Sequence, residues 1–283
     1  MIAVCQGPTV AAKDGRRIIE CQQCGYAHVF PMYTAAELES HYANVFAEST
    51  PSHLWFEKVQ QVLRWKQGGD ILDVGCWEGA QLDYFVQAGW NCTGLELNRK
   101  AAAVSRAKGI DVLEMSIAEF FDRCAGRTWD VINVAYVLEH IPEPLTFLDR
   151  IRTHMNPGGI LVLEVPNEFN PFQLAYVKKA QIDPYWIFLP EHVNYFTKES
   201  LERLVQRGGW TILHGESCFP MEMFLLMGDD YLTSKTVGPA AFQKVLALES
   251  ALRAHDPTLV SRFYTALYSS GVGRGLTLYL QNQ

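Results

Sequence analysis

Between about residue 70 and residue 166 of this chain, short apolar runs alternate with stretches in which apolar residues recur at helical spacing. Apolar runs such as "DILDV" and "WDVINVA" have the length of buried strands, and stretches such as "GAQLDYFVQAG" place apolar residues at helical spacing. Strands separated by helices of about ten residues predict βαβ units in a parallel sheet that is covered on both faces. Because crossover connections are right-handed, we expect an open, doubly wound sheet.

The segments on either side of this alternation follow other patterns. Three of the seven cysteines and two short strand-like stretches, "RRIIEC" and "YAHVF", lie within residues 1–48. The stretch "SHLWFEKVQQVLRWK" predicts an amphipathic helix whose N-cap is Thr50 or Ser52. We therefore expect an N-terminal cysteine-containing segment, residues 1–48, followed by a larger domain, residues 49–283.

The composition narrows the classes of protein that fit. Hydrophobic residues make up 48% of the 283 residues, which is enough for a packed core. The formal net charge of -7 opposes binding to nucleic acid, because phosphate groups are attracted by a positive field. An odd number of cysteines, seven, is typical of reduced thiols in the cytoplasm. Because no apolar run of about 18 residues and no signal-peptide pattern occurs, we expect a soluble, cytoplasmic protein without a membrane span.

The stretch "ILDVGCWEGAQL" places two glycines, Gly75 and Gly79, directly after the first strand of the alternation, where open α/β sheets bind their ligands. A dinucleotide fingerprint needs a glycine where Trp77 stands, and no P-loop Lys-Ser/Thr pair follows. Asp73 and Glu96, 23 residues apart at the ends of two strands, disfavour phosphate and favour a cationic ligand with ribose hydroxyls. S-adenosylmethionine has a ribose, a positive charge and no phosphate.

Four stretches in order along the chain resemble the motifs of class I S-adenosylmethionine-dependent methyltransferases: "ILDVGCWEG", "GLELN", "WDVINVAYVLEHIPEP" and "MNPGGILVLEVPN". The resemblance covers about residues 50–215. It implies an α/β fold with a doubly wound, Rossmann-like, seven-stranded sheet whose last strand, "RGLTLYLQ", runs antiparallel. A small N-terminal segment and a helical cap would complete this fold.

The resemblance also implies which residues bind S-adenosylmethionine. Trp77 departs from the family's commonest glycine pattern, and a large side chain is acceptable there if its φ angle is negative. The Trp77 indole would then pack against neighbouring residues or shield the cofactor. The other implied residues are those at the methionine end (Asp73, Gly75, Cys76, Gly79, Val134 and Ala135), at the ribose (Glu96) and around the adenine (Leu97, Ser116 and Ile117).

Methyl transfer to a hydroxyl group requires a positioned acceptor and removal of a proton, a task that suits histidine near neutral pH. His140, in "LEHIPEP", resembles the histidine at the substrate side of many family members. The stretch "LPEHVNYFT" resembles a segment of methyltransferases that act on sugars and other small metabolites, so His192, Asn194 and Tyr195 would face the acceptor. Glu191 is a candidate for orienting His192. The alternative is that His140 caps a turn and His192 packs in an aromatic loop.

Further residues and segments are candidates for the acceptor side. Glu164 and Asn167, near the end of the fifth strand, could reach the substrate. The aromatic segment of about residues 167–197 and the helical residues of about 220–270 would form a lid. Within the second of these, "FPMEMFLLMGDDY" is apolar enough to cover the acceptor or to form a homodimer contact.

The N-terminal stretch "CQQCGYAH" and Cys5 supply four residues that can bind zinc: Cys5, Cys21, Cys24 and His28. Related bacterial methyltransferases carry two C-x-x-C pairs ahead of the catalytic core, but here Ile2 stands where the first cysteine would be. The alternative is a hairpin that folds without a metal ion.

These features together predict a methyltransferase that uses S-adenosylmethionine, releases S-adenosylhomocysteine and acts on a small molecule, such as a sugar or another polyhydroxylated metabolite. Two alternatives stay open. An RNA base methyltransferase could also carry an N-terminal zinc module, although the acidic balance and the absence of a basic stripe oppose it. A non-catalytic protein could retain the cofactor pocket and methylate nothing.

Overall fold

The strands form two sheets in the structure, a computed structural model that describes residues 5–34, 37–38 and 55–282. A four-stranded sheet contains the first three strands and the ninth, and a seven-stranded sheet contains the rest. In chain order the strands are β1 (Thr9–Lys13), β2 (Arg16–Glu20), β3 (Ala27–Phe30), β4 (Asp70–Val74), β5 (Asn91–Leu95), β6 (Asp111–Leu113), β7 (Trp129–Ala135), β8 (Met155–Pro166), β9 (Asn194–Tyr195), β10 (Trp210–Ser217) and β11 (Gly275–Asn282).

The seven-stranded sheet has the order β10-β11-β8-β7-β4-β5-β6. The chain order of the strands reverses at β4, which pairs in parallel with β5 on one side and with β7 on the other. The predicted Rossmann-like fold with its antiparallel final strand is confirmed. The helices are α1 (Trp55–Val62), α2 (Ala80–Gln87), α3 (Arg99–Ala107), α4 (Ile117–Arg123), α5 (Pro144–Arg152), α6 (Pro171–Ala180), α7 (Lys198–Arg207), α8 (Glu222–Met227), α9 (Val237–His255) and α10 (Leu259–Ser270).

Local signals in the sequence determine where several helices begin. The side chain of Asn170 accepts hydrogen bonds from two N–H groups of the first turn of α6. Ser116 and Glu119 form a reciprocal capping box at the start of α4. The predicted N-caps of α1, Thr50 and Ser52, lie outside the described residues. No helix in the described part of the chain is long and apolar enough to cross a membrane.

The chain divides into two compact units. The first, here called the glycine-loop unit, consists of the described residues 55–164, 205–214 and 278–282. Residues are buried on both faces of its parallel strands, with Ile71 and Val131 on one face and Leu72 and Ile132 on the other, as expected for a sheet between two helical layers. The core includes the buried residues Ile71, Leu82, Phe85, Val131, Val162 and Tyr279.

The second unit, here called the hairpin unit, consists of the described residues up to 38 with residues 165–204 and 215–277. Its four-stranded sheet has the order β1-β2-β3-β9, and β9 pairs antiparallel with β3. The strand pairing therefore joins the N-terminal segment to a segment far along the chain. The predicted domains, residues 1–48 and 49–283, are each continuous in sequence, whereas this unit combines three separate ranges. The core of this unit includes Ile18, Val29, Trp186, Ile187, Val193 and Tyr195.

Candidate functional site

Two glycines with left-handed backbone shape the loop between β4 and α2. The φ angles are 76° at Gly75 and 67° at Gly79, a region that residues with a side chain rarely adopt. A Cβ atom on Gly79 would lie 2.4 Å from Oγ of Ser105, and one on Gly75 would lie 3.1 Å from Cγ2 of Val137. Gly75 is exposed, so its bare backbone is open at the carboxyl end of β4, where open α/β sheets bind ligands.

Trp77 lies between these glycines with a φ angle of 49°. The condition set from the sequence for a large side chain at this position, a negative φ, is therefore not met. The N–H of Trp77 donates a hydrogen bond of 2.9 Å to Oε2 of Glu96, and this bond opposes the strain of about 1–3 kcal/mol that such a backbone carries. The indole is half-buried, and its Nε1 is buried without a hydrogen-bond partner among the described residues.

Two backbone donors hold Glu96 at the end of β5. Its Oε2 accepts from the N–H of Trp77, and its Oε1 accepts from the N–H of Asn98 at 2.7 Å. Each carboxylate oxygen keeps a further lone pair, so the fixed carboxylate can also accept hydrogen bonds from two hydroxyl groups. This geometry suits the ribose role, which stays a prediction.

Asp73 is buried at the end of β4 beside a chain of amide groups. Nδ2 of Asn133 donates a hydrogen bond of 2.6 Å to Oδ1 of Asp73, and Gln81 contacts Asn133 in turn. Burial raises the pKa of Asp73 to about 7, against the opposing effects of Asn133 and of the Lys58 ammonium. A cationic ligand at this place would lower that pKa again, because it favours the ionised carboxylate.

Lys58 of α1 forms a buried ion pair with Glu164 of β8. Only 2% of the Lys58 side chain and 3% of the Glu164 side chain are exposed. Glu164 was expected to be a candidate for contacting substrate, and its carboxylate is paired with this ammonium instead. Lys58 was not predicted as a site residue, although it stands four residues before Val62 and seven before Trp65, on the apolar stripe of the helix. A lysine at such a position indicates a buried partner.

The remaining predicted cofactor residues differ in what their side chains can offer. The thiol of Cys76 is turned inward, since a Cβ on Gly94 would lie 2.4 Å from its Sγ, so only the backbone of Cys76 is available to a ligand. Oγ of Ser116 is engaged in the capping box of α4. Leu97 is 63% exposed. Val134 is buried within β7, whereas Ile117 and Ala135 are half-buried.

His140 lies in the glycine-loop unit, in a 3-10 turn formed by Leu138–His140. Its N–H donates a hydrogen bond to the carbonyl of Val137, and its side chain is partly exposed. Nε2 of His140 lies 3.9 Å from Oε1 of Glu139, whose side chain is buried. The ring therefore has a buried carboxyl group as its neighbour.

His192 lies in the hairpin unit and contacts a buried carboxylate, Glu168. Nδ1 of His192 is 3.0 Å from Oε1 of Glu168. Burial raises the pKa of Glu168, and the hydrogen bond from His192 opposes that rise. The second oxygen of Glu168, Oε2, is buried without a hydrogen-bond partner among the described residues. An ionised carboxylate can only accept, so Nδ1 of His192 donates to Glu168 when that carboxyl group is ionised.

Glu168 was not predicted as a site residue, and Glu191 was the candidate for orienting His192. The signal for Glu168 was its place directly after β8, at the edge of the sheet where ligands bind. Its N–H donates a hydrogen bond of 2.9 Å to the carbonyl of Phe196, so the backbone of β9 and its neighbours fixes the position of the carboxylate.

Tyr195 and Asn167, which were also candidates for the acceptor side, have structural contacts. Tyr195 is buried, and its ring packs 5.9 Å from that of Phe169 in the core of the hairpin unit. Nδ2 of Asn167 donates hydrogen bonds to the carbonyls of Gly271 and Gly273 at 3.0 and 2.7 Å. These contacts give both side chains a role in packing.

The four predicted zinc ligands come together in the hairpin unit. One potential ligand atom from each of them lies within 4.8 Å of the others. They are Cys5, Cys21, Cys24 and His28.

Comparison with known proteins connects this fold and loop to a family. A family model described as a methyltransferase domain matches residues 46–215 of the chain. The ubiquinone biosynthesis O-methyltransferase of Actinobacillus pleuropneumoniae is 28% identical over 123 residues, which cover 40% of this chain and 53% of that protein. The protein of the same name from Aromatoleum aromaticum is 26% identical over 176 residues, which cover 58% of this chain and 74% of that protein. The chain spans about half the length of several such relatives.

A solved structure is similar over almost the whole chain. It is the crystal structure of 1,6-didemethyltoxoflavin-N1-methyltransferase from Burkholderia thailandensis, with bound 1,6-didemethyltoxoflavin and S-adenosylhomocysteine. The match has a TM-score of 0.56 at 13% identity and covers 98% of this chain and 100% of that one. Likeness at this identity shows the fold alone. Because the family model matches more than half of its residues, the chain belongs to the class I S-adenosylmethionine-dependent methyltransferases.

Proposed function

We propose that this chain transfers a methyl group from S-adenosylmethionine to a hydroxyl group of a small molecule. The pair formed by His192 and Glu168 carries this proposal, because a hydroxyl acceptor must lose its proton and an imidazole oriented by a buried carboxylate can take it. The relatives named O-methyltransferases support an oxygen acceptor. Methylation of a neutral amine would not require such a base.

The residues around the glycine loop fit the cofactor. Burial disfavours the ionised form of Asp73, and a ligand with a cationic end compensates that cost. Glu96 has free lone pairs for ribose hydroxyls, and the buried Nε1 of Trp77 can donate to an acceptor on a ligand. When it is bound, S-adenosylmethionine supplies an electrophilic methyl group on a sulfonium. The chain's residues would hold and orient it through these contacts.

The proposed reaction gives His192 the role of general base. The acceptor oxygen bonds to the methyl carbon while the bond from that carbon to sulfur breaks, and S-adenosylhomocysteine leaves. The hydroxyl proton passes to the imidazole of His192. Glu168 holds the ring through Nδ1 and stabilises the imidazolium that forms. His140, which has Glu139 as its neighbour, is the second candidate for this role.

We further propose a sugar or another polyhydroxylated metabolite as the acceptor. The ring of Phe188 lies 5.7 Å from that of His192 and is about half exposed, so it offers a flat apolar face beside the base. Such a face suits the apolar side of a sugar ring, and it suits the ring of a phenol as well. The relatives named for ubiquinone biosynthesis make a phenolic hydroxyl the competing acceptor.

The remaining parts of the proposal concern location and partners. The cytoplasm is proposed because none of the seven cysteines forms a disulfide bond. The net charge of -7 opposes nucleic acid as a partner. Salt-sensitive RNA binding would instead support the RNA methyltransferase alternative. The homodimer remains a prediction, which light scattering on the purified chain tests.

Calorimetry and turnover test the proposal in two stages. Titration with S-adenosylmethionine should release heat with a single site, whereas NAD and ATP should not bind. Formation of S-adenosylhomocysteine is then followed with sugars, phenols and amines as acceptors in separate assays. Binding without turnover on any of these would favour the non-catalytic alternative. Binding of NAD or ATP at the glycine loop would overturn the assignment of the cofactor.

A further inference from the structure

We propose that Cys5, Cys21, Cys24 and His28 bind one zinc ion, and that this ion holds β3 against β9 and so positions the segment that contains His192. The first half of this proposal is independent of the proposed function. The positioning of the segment that contains His192 affects turnover only if His192 has the catalytic role proposed above.

The spacing of the sulfur atoms suits a tetrahedral metal site. Sγ of Cys5 lies 3.8 Å from Sγ of Cys24, too far for a disulfide bond. A tetrahedral zinc ion with Zn–S bonds of about 2.3 Å requires sulfur atoms about 3.8 Å apart. All four potential ligand atoms lie within 4.8 Å of one another, so one ion can reach them with small adjustments.

The backbone from Cys21 to Gly25 forms a tight turn around Sγ of Cys21. The N–H of Cys24 points at Sγ of Cys21 at 3.5 Å, a contact that stabilises a thiolate. The turn closes at Gly25, which has a φ angle of 83° and donates to the carbonyl of Cys21. The segment before β1, which carries Cys5, approaches so closely that a Cβ on Gly7 would lie 1.9 Å from the carbonyl oxygen of Glu20.

His28 provides the fourth ligand in place of the missing first cysteine. Its side chain is 4% exposed, and Nδ1 lies 2.8 Å from the carbonyl oxygen of Val29. A carbonyl oxygen can only accept, so Nδ1 carries the proton and Nε2 presents its lone pair. Nε2 is buried and has no hydrogen-bond partner among the described residues. A histidine that donates from one nitrogen to a backbone carbonyl and binds metal through the other is the usual arrangement in metal sites.

The chemistry of this ligand set selects zinc. Three thiolates and a neutral imidazole are the ligands of closed, structural zinc sites, and no fifth position is needed. Binding would release the protons of the three thiols and leave the site with one negative charge. The four ligands complete the coordination, so the site would hold structure and would not take part in methyl transfer.

The strand pairing connects the metal site to the candidate base. His28 is paired in register with Asn194, and Ala27 is paired with Tyr195. The N–H of Val29 also donates a hydrogen bond of 3.0 Å to the carbonyl of Val193. His192 immediately precedes this paired stretch, so a metal ion that fixes the His28 ring also restrains the backbone beside His192.

Metal analysis of the purified full chain tests the site directly. We expect about one zinc ion per chain by inductively coupled plasma mass spectrometry. Cys24→Ser and His28→Ala should weaken zinc binding by at least about tenfold. Cys218→Ser, at a half-buried thiol outside the cluster, is the matched control and should retain the metal. His28→Cys keeps four ligands and should retain it as well.

Cobalt(II) titration of the unsubstituted chain tests the metal site even if a variant fails to fold. After zinc is removed with a chelator under reducing conditions, titration with cobalt(II) should give the absorption bands of a tetrahedral thiolate site. A parent chain that contains no zinc and shows no such bands overturns the metal site. Unchanged zinc affinity in the folded His28→Ala variant overturns His28 as the fourth ligand.

Hydrogen exchange tests the link to β9. Removal of zinc should speed exchange in peptides that cover Ala27–Phe30 and residues 192–196, whereas a peptide that covers β4 should exchange as before. Unchanged exchange in the first two peptides overturns the positioning role and leaves the metal site intact. If the exchange changes while His192→Ala and His140→Ala both turn over as fast as the parent, the proposed general base fails, and the metal site and its link to β9 stand.

Discussion

The backbone N–H of Trp77 donates a hydrogen bond of 2.9 Å to Oε2 of Glu96. Trp77 belongs to the loop after β4, and Glu96 follows β5. The carboxylate that is proposed to bind the ribose therefore also holds the glycine loop in its left-handed conformation. Loss of Glu96 would affect the ligand and the loop together.

Glu96→Ala should weaken binding of S-adenosylmethionine by about 1–3 kcal/mol, the range for a lost hydrogen bond to a charged group. The matched control is Glu114→Ala, because Glu114 is an exposed acid whose ion pairs with Arg99 and Arg106 lie at the surface. Isothermal titration calorimetry gives the affinities, and circular dichroism checks the fold. Equal affinity in Glu96→Ala and the parent would contradict the ribose role.

Asp73 should make the stability of the cofactor-free chain depend on pH. Burial raises its pKa from 3.8 to about 7, so the folded chain binds more protons than the unfolded chain between these values. This contribution to stability is fully present below pH 3.8 and is lost as the pH rises through 7. The Asp73→Asn side chain cannot ionise, so the free energy of unfolding of this variant should not fall for this reason as the pH rises.

The difference between Asp73→Asn and the parent isolates that effect. Because one pKa unit corresponds to about 1.4 kcal/mol, the variant should gain about 1–4 kcal/mol in relative stability between acidic and mildly alkaline pH. Urea unfolding at several pH values, without cofactor, measures the difference. If it stayed constant over this range, Asp73 would not be the group that titrates.

Substitutions of Lys58 and Glu164 should change the free energy of unfolding as expected for a buried ion pair. Lys58→Met leaves the Glu164 carboxylate buried and unpaired, so the free energy of unfolding should fall by about 3–5 kcal/mol. The double variant Lys58→Met with Glu164→Gln should recover most of that loss, because no buried charge remains.

Urea unfolding of both variants and of a surface control measures these changes. The control is Arg99→Met, since Arg99 is almost fully exposed in its ion pair with Glu114, and its change should stay within about 0.5 kcal/mol. A double variant no more stable than Lys58→Met alone would show that the ion pair is not the source of the effect.

His192→Ala should lower kcat by about 10²–10⁴-fold, the usual contribution of a general base, and should leave the affinity for S-adenosylmethionine unchanged. Glu168→Gln keeps the size of the side chain but removes its charge, so it should lower kcat and shift the pH at which the rate rises. His255→Ala, at the exposed end of α9, is the control. If His192→Ala and His140→Ala both kept the full rate, neither histidine would be the base.

The parts of the fold that depend on short-range patterns could be predicted from the sequence. The strands and helices from Asp70 to Pro166 follow the expected periods, because each buried strand or helix face is encoded by neighbouring residues. The glycine turns were also predictable, since Gly75 and Gly79 stand where a left-handed backbone is needed. The two-residue strand β9 was not, because it exists only through its pairing with β3.

The parts of the site that depend on distant contacts could not be predicted in the same way. Glu168 and His192 are 24 residues apart, and no local period relates them. Lys58 and Glu164 are 106 residues apart and meet only in the folded chain. The φ angle of Trp77 likewise depends on Glu96, a residue of the next strand.

The position of β11 has a consequence for biosynthesis. This strand comes last in the chain but lies between β10 and β8 in the interior of the sheet. A nascent chain on the ribosome therefore has to keep the facing edges of β8 and β10 unpaired until β11 emerges. The sheet cannot be completed before that strand is made, and chaperones that protect exposed strand edges would act in that interval.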